Sequence, residues 1–215
     1  MQRRQLSDEV ASYLRQSIMA GELAPGTSVR AEAVGEALDV SATPVREALH
    51  ALRAEGFLEL VPRRGFTVRA LTATDIRDIF EAHALVAGEL AARAARLITE
   101  EQTAELVENH ERLMSAAKHG DTPRLEQLND EFHRRVYLAS GSERLRWALG
   151  NFVKYVPSAF YAQIDGWPET TAEDHSAVCD AIVSHDADAA REAMAQHIRN
   201  AGEKLAGYFE RRQQA

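Results

Sequence analysis

Apolar positions along this chain recur with helical spacing in many places and with strand-like alternation in one. Over 6–20, Val10, Ala11, Leu14 and Ile18 share one helical stripe, and Gly21 follows as a stop. AGELAPGT, punctuated by Pro25 and Gly26, is a loop. A short helix is predicted over 31–38, broken by Asp39-Val40-Ser41, and a longer one over 42–55 turns Val45, Ala48, Leu49 and Leu52 inward. Ser41 is its candidate N-cap. Pro44 is tolerated in a first turn but disfavours a helical Thr43, so a start two residues later is also open. Beyond Gly56 the pattern changes: FLELV and FTVRA are β-rich and flank Pro62-Arg63-Arg64-Gly65, a hairpin with a basic tip. Three helices and a two-stranded wing within residues 1–70 outline a winged helix-turn-helix.

After Leu71 only helical periodicity appears, over 73–97, 100–119, 122–139, 142–162, 169–184 and 187–211. The breaks are Gly120-Asp121, Ser140-Gly141-Ser142, Gly166-Trp167-Pro168 and His185-Asp186. Residues 71–215 therefore read as an all-α bundle of six or seven helices with room for a cavity. The fold class is mainly α, in two domains.

Composition sharpens this division. The chain of 215 residues has a net charge of −8, yet residues 1–70 carry nine arginines against nine acidic residues. The excess of acid, 24 against 16 basic residues, lies wholly in the remainder. That distribution excludes a broad, sequence-blind basic binder and leaves the first domain free to approach phosphates. No apolar run is long enough to span a bilayer, and the N-terminus has no signal-peptide core. With a single cysteine, Cys179, set in the apolar pattern AVCDAIV, a cytoplasmic location is expected.

Two constellations carry chemistry. Thr43, Arg46, His50 and Arg53 form the outward stripe of the third helix, and a recognition helix reads base edges with its N-terminal residues. Arginine suits the task because its fork donates to O6 and N7 of one guanine. The stripe alone equally fits a solvated helix face; the tip Arg63, Arg64 and Gly65, shaped to enter a minor groove, shifts the balance toward double-stranded DNA. In the second domain, His175 and His197 are separated by 22 residues with the predicted turn midway, so a helical hairpin returns them to one level. Asn129 and His133 stack one turn apart on another helix. Three imidazoles and an amide oxygen could hold one divalent ion with positions left open, although histidines filling helix interfaces would show the same spacing.

The run from IMAGELAPGTSV to EGFLELVPRRGFTV, containing PVREAL, resembles the DNA-binding domain of the GntR transcription regulators over most of 6–70. LNDEFHRRVYLASGS and DHSAVCDAIVSHDADAAREAMAQHI resemble the FCD ligand-binding domain of the FadR subfamily over about 72–211. The resemblance implies a homodimeric repressor on a short palindromic operator, with Thr43, Arg46 and the wing at Gly65 touching DNA. It implies a metal such as Zn or Ni on Asn129, His133, His175 and His197; the charge of such an ion suits a small organic acid as effector, which is expected to shift the placement of the DNA-reading domains. Candidate effector contacts are His83, Arg134, Tyr137, Trp147, Tyr155 and Tyr161.

Three positions depart from the family pattern. Ala42 replaces a base-contacting arginine, which leaves the operator open and gives Arg30 a compensating role at a phosphate. Asn129 stands where Asp is frequent and is a weaker ligand; Asp130 points about 100° away and is a poor substitute. His83 stands where arginine is common, which favours a less acidic or smaller effector. Two other readings compete: a regulator for which the ion itself is the signal, and a metal-dependent hydrolase, which lacks an HExxH motif and a placed general base.

Overall fold

The computed structural model describes residues 2–155 and 167–214, with side chains placed over 6–155 and 172–211. The chain divides into two compact units, Met1–Leu71 and Thr72–Ala215.

The first unit comprises α1 (Gln2–Ala20), β1 (Ser28–Val29), α2 (Ala31–Leu38), α3 (Ala42–Ala54), β2 (Leu58–Val61) and β3 (Gly65–Val68). Val10, Leu14 and Met19 of α1 close over Val45, Leu49 and Leu52 of α3, with Phe57, Leu58 and Val68 completing the core. Helix α3 begins at Ala42 with Pro44 in its first turn, where the missing N–H has no helical partner to lose. Ser41 is extended but makes no side-chain cap bond. The α2–α3 turn depends on glycine: Val40 N–H donates to the Gly35 carbonyl at 2.9 Å, and a Cβ on Gly35 would lie 2.6 Å from the Val40 oxygen.

The wing differs from its two-stranded expectation. It is an antiparallel sheet of order β1-β3-β2, with Ser28 paired to Thr67 and Leu60 to Phe66. The added strand is two residues long, too short for alternation to be visible. It is held because Gly26 N–H donates to the Val68 carbonyl (2.8 Å) and Val68 N–H to that of Thr27 (2.9 Å).

The second unit comprises α4 (Ala73–Leu97), α5 (Glu100–His119), α6 (Thr122–Ala139), α7 (Glu143–Val153), α8 (Trp167–Val183) and α9 (Ala187–Gln214). Thr72 and Thr99 start α4 and α5 with reciprocal capping boxes, to Asp75 and Gln102. Helix α7 ends well short of the expected 162, and 156–166 lie outside the described residues. The hairpin turn between α8 and α9 falls where the histidine spacing placed it, with His185 in the left-handed region (φ 57°) and bonded through Nδ1 to the Ala95 carbonyl at 2.8 Å.

Helices α4 and α9 pack along one another. The seam is made of small residues: Ala84, Ala87 and Ala91 are fully buried, a Cβ on Gly88 would stand 2.8 Å from the Arg191 carbonyl oxygen, and one on Gly202 would stand 2.6 Å from Phe80 Cβ. Cys179 is buried, and burial, followed by the charge of Asp180, pushes its thiol up to about 11. It is a packing residue, not a reactive one. No helix among the described residues is long and apolar enough to cross a membrane.

Candidate functional site

The first unit presents one polar face. Burial of Pro44, Val45, Ala48, Leu49 and Leu52 leaves Thr43, Arg46, His50 and Arg53 exposed together on α3. Arg46 is 61% exposed and donates to Glu32 of α2 at 2.7 Å. The hydrogen bonds to Glu32, from its own backbone and from Arg46, hold that carboxyl below its usual range. Exposed pairs of this kind are worth little in water, so the guanidinium is oriented without being locked in place. The His50 ring meets Phe66 of β3 edge-on at 5.1 Å, which joins the recognition helix to the wing. At the tip, Arg63 (φ 66°) and Gly65 (φ 79°) are both left-handed, and Arg63, Arg64 and Gly65 are exposed. The Ser28 hydroxyl donates to the Arg64 carbonyl at 3.0 Å. Arg30 is exposed at the N-cap of α2, close enough for its charge to act on Glu32.

In the second unit α6, α8 and α9 bring three histidines to one point. His133 Nε2 lies 3.3 Å from His175 Nε2 and 3.2 Å from His197 Nε2, and the candidate ligand atoms all lie within 4.8 Å of one another. Zn–N bonds of ~2.0–2.1 Å in a tetrahedral site place ligand nitrogens ~3.3–3.4 Å apart, so this donor set fits a divalent ion. The protonation states fit as well. Burial, then the neighbouring histidines, pushes His133 and His175 well below the ordinary histidine range, which keeps both neutral. The Asp174 carboxylate accepts from His197 Nδ1 at 3.3 Å, which turns the lone pair of Nε2 toward the cluster. Although burial opposes it, hydrogen bonds from His197 and Asn200 hold Asp174 below its usual range. Tyr137, whose hydroxyl burial keeps protonated, meets His133 Nδ1 at 3.2 Å.

His133 and His197 open on a cavity of about 740 Å³ walled by α4, α6, α7 and α9; His175 is fully buried behind them. Asn129, one turn before His133, lines the cavity beside the histidines. Asp130, set aside on angular grounds, also lines the cavity but stands outside the histidine cluster. His83 is buried on the α4 wall, stacked 6.4 Å from Phe152, with an Nε2 that has no hydrogen-bond partner among the described residues. Burial, then the charge of His197, lowers its pKa to about 4.

Of the other expected effector contacts, Arg134 and Tyr137 line the cavity, while Trp147 is 72% exposed and Tyr155 half-buried, neither on the lining. Tyr161 lies outside the described residues. The residues that α7 does turn inward are Arg146, Leu149, Gly150 and Val153, with Lys154 beside them. Their spacing is a helical stripe and Trp147 sits about 100° from it, so phase rather than aromatic character would have found them.

Residues 6–68 match the description "Bacterial regulatory proteins, gntR family", and 78–200 match the FCD domain. The chain belongs to the GntR family, in its FCD-domain branch. This GntR regulator is 27% identical over 203 residues to the HTH-type transcriptional repressor RspR of Escherichia coli, covering 93% of this chain and 89% of that one. It is 28% identical over 196 residues to a probable D-xylose utilization operon transcriptional repressor of Paenarthrobacter nicotinovorans, with 90% and 85% covered. Among solved structures, E. coli McbR/YncC superposes with a TM-score of 0.70 at 24% identity over 95% of this chain and 98% of that chain, a likeness of fold. The GntR relatives are transcriptional regulators, not enzymes, which removes the hydrolase reading.

Proposed function

We propose that this GntR regulator binds operator DNA as a homodimer, and that a small organic acid taken into the cavity of its FCD domain, beside a divalent ion, alters operator affinity. The observation that carries this reading is the convergence of three inward-turned imidazole nitrogens on the edge of a cavity that also bears Arg134, Arg146 and Lys154. A bound Zn or Ni ion would supply positive charge and open coordination positions to a carboxylate. His133, His175 and His197, with the Asn129 oxygen, would hold it. Asp174 and Tyr137 orient two of the rings. Arg46 and Thr43 read base edges, while Arg30, Arg63 and Arg64 meet phosphates or the minor groove, with Gly65 permitting the approach and His50 bracing the wing. An acid can control this surface only by binding one arrangement of the dimer better than another.

Calorimetry with a panel of organic acids, on protein as purified and after verified demetallation, tests the reading. Acid binding that disappears with the ion supports it; binding unchanged after complete demetallation overturns it. The all-histidine donor set also suits a regulator for which the ion itself is the signal. Operator binding titrated with Zn or Ni alone, without acid, separates the two.

A further inference from the structure

The stripe of α7 that faces the cavity contains one charged residue, Arg146, followed by Leu149, Gly150 and Val153. The Arg146 side chain is half-buried, its Nε is shut off from solvent, and no hydrogen bond or ion pair reaches it among the described residues. A guanidinium stays charged at any physiological pH, and a withdrawn N–H without an acceptor costs stability. The other cations of the cavity are differently placed. Arg134 is exposed and its charge acts on Glu131, and Lys154 already has a partner. Asp130, the carboxylate on the lining, forms no ion pair with Arg146. A fork of N–H donors therefore lines a cavity with no acceptor among the described residues assigned to it. The same lining carries apolar side chains beside that fork and the histidines: Leu149 and Val153 on α7, and Ile198 next to His197 on α9.

We propose that Arg146 is a second anion-binding residue of the cavity, so that the effector carries two acidic groups joined by a short, largely apolar segment. This rests on the reading above that one acid group binds at the histidines. The second group sits on Arg146, where carboxylate and phosphate oxygens both match the guanidinium fork. The cavity of about 740 Å³ has room for such a molecule and is far larger than a two- or three-carbon acid fills. His83, whose departure from the family pattern favoured a smaller or less acidic effector, here gives way to Arg146 as the anion site and offers one ring nitrogen, unpartnered among the described residues, to a hydroxyl or carbonyl between the two acidic ends.

The test is calorimetry of the metal-loaded full chain with glutarate and adipate, the matched monocarboxylates butyrate and valerate, and 3-phosphoglycerate. Wild type is expected to bind the better two-anion acid about 10- to 100-fold more tightly than its one-anion match. Arg146→Gln should erase that preference while leaving monocarboxylate binding in place, which also shows that the variant is folded. Arg146→Lys should retain part of it. Preference for glutarate or adipate assigns a carboxylate to Arg146, and preference for 3-phosphoglycerate a phosphate. Equal wild-type affinity for one- and two-anion acids, or a preference that survives in Arg146→Gln, overturns the proposal while leaving the metal-and-acid reading intact. Acid binding untouched by chelation strikes that reading alone, because the Arg146 comparison is still measured. Absence of binding by every acid strikes both.

Discussion

His133 and His197, 64 residues apart in sequence, place their Nε2 atoms 3.2 Å from each other. The Asp174 carboxylate accepts from His197 Nδ1, which turns its Nε2 toward the other two rings. The pair is set up for a cation. With an ion at about 100 times its dissociation constant, binding adds about 2.7 kcal/mol to the folded state. Chelation should accordingly lower the melting temperature by about 5–10 °C, and re-addition of Zn or Ni should restore it. His197→Ala should abolish the response, and a chelator-sensitive melting temperature in that variant would count against the cluster.

Arg46 should be the base-reading residue of α3. Arg46→Ala is expected to cost about 1–3 kcal/mol on a specific operator and much less on random DNA. Glu32→Gln, which removes the charge facing Arg46 (2.7 Å), should leave specific binding nearly unchanged because the pair is exposed. Titrations at fixed salt measure both, and equal losses on specific and random DNA in Arg46→Ala would refute base reading.

Arg63 should show function at odds with local conformation. Its left-handed backbone (φ 66°) costs a non-glycine residue about 1–2 kcal/mol. Glycine relieves that cost but loses about 0.5–1 kcal/mol in chain entropy. Arg63→Gly should therefore leave stability within about 1 kcal/mol of wild type in urea unfolding, while operator affinity falls. Intact affinity would remove the tip from the DNA contact.

His83 makes the second unit acid-sensitive. Its folded pKa of about 4 lies below the ordinary value of 6.5, so the unfolded chain takes up a proton that the folded chain refuses. The sign follows: stability is full above pH 6.5 and is lost as pH falls toward about 4, by up to about 3 kcal/mol. Urea unfolding of demetallated protein at pH 7 and pH 4.5 measures the loss, and His83→Leu should shrink it. An identical loss in that variant would assign the acid sensitivity to other groups.

Gly202 should tolerate nothing larger. A Cβ there would stand 2.6 Å from that of Phe80, a fully enclosed side chain, and crowding of this kind costs about 1–3 kcal/mol. Gly202→Ala should lower the melting temperature accordingly. Gly150→Ala, which meets nothing within 4 Å, should not.

Most helices were legible because their ends are chemically marked, by Gly21, Gly56, Gly120-Asp121 and the His185 turn. The hairpin returning His175 and His197 to one level was legible for the same reason: its turn lies midway between them. Strand β1 was not, since two residues carry no alternation and its existence depends on hydrogen bonds from Gly26 and Val68. The cavity face of α7 was not legible, because the stripe containing Arg146 lies about 100° around the helix from the aromatic Trp147 and has no chemical mark of its own. The pairing of Arg46 with Glu32 crosses from one helix to the next and has no local pattern to reveal it. Whether a histidine borders the cavity or lies behind it, as His175 does, depends on the packing of three helices and is not encoded in spacing.

The small-residue seam between α4 and α9 has an evolutionary corollary. Where two backbones approach closely enough that Gly88 and Gly202 cannot gain a methyl group, neither helix can accept a bulkier residue there unless its neighbour changes with it. Substitution is then steered elsewhere, and α7, which exposes Trp147 and leaves space at Gly150, is a wall with such freedom. A lineage built on this scaffold can acquire a taste for new molecules by altering α7 alone, while the frame that supports the histidines stays as it is.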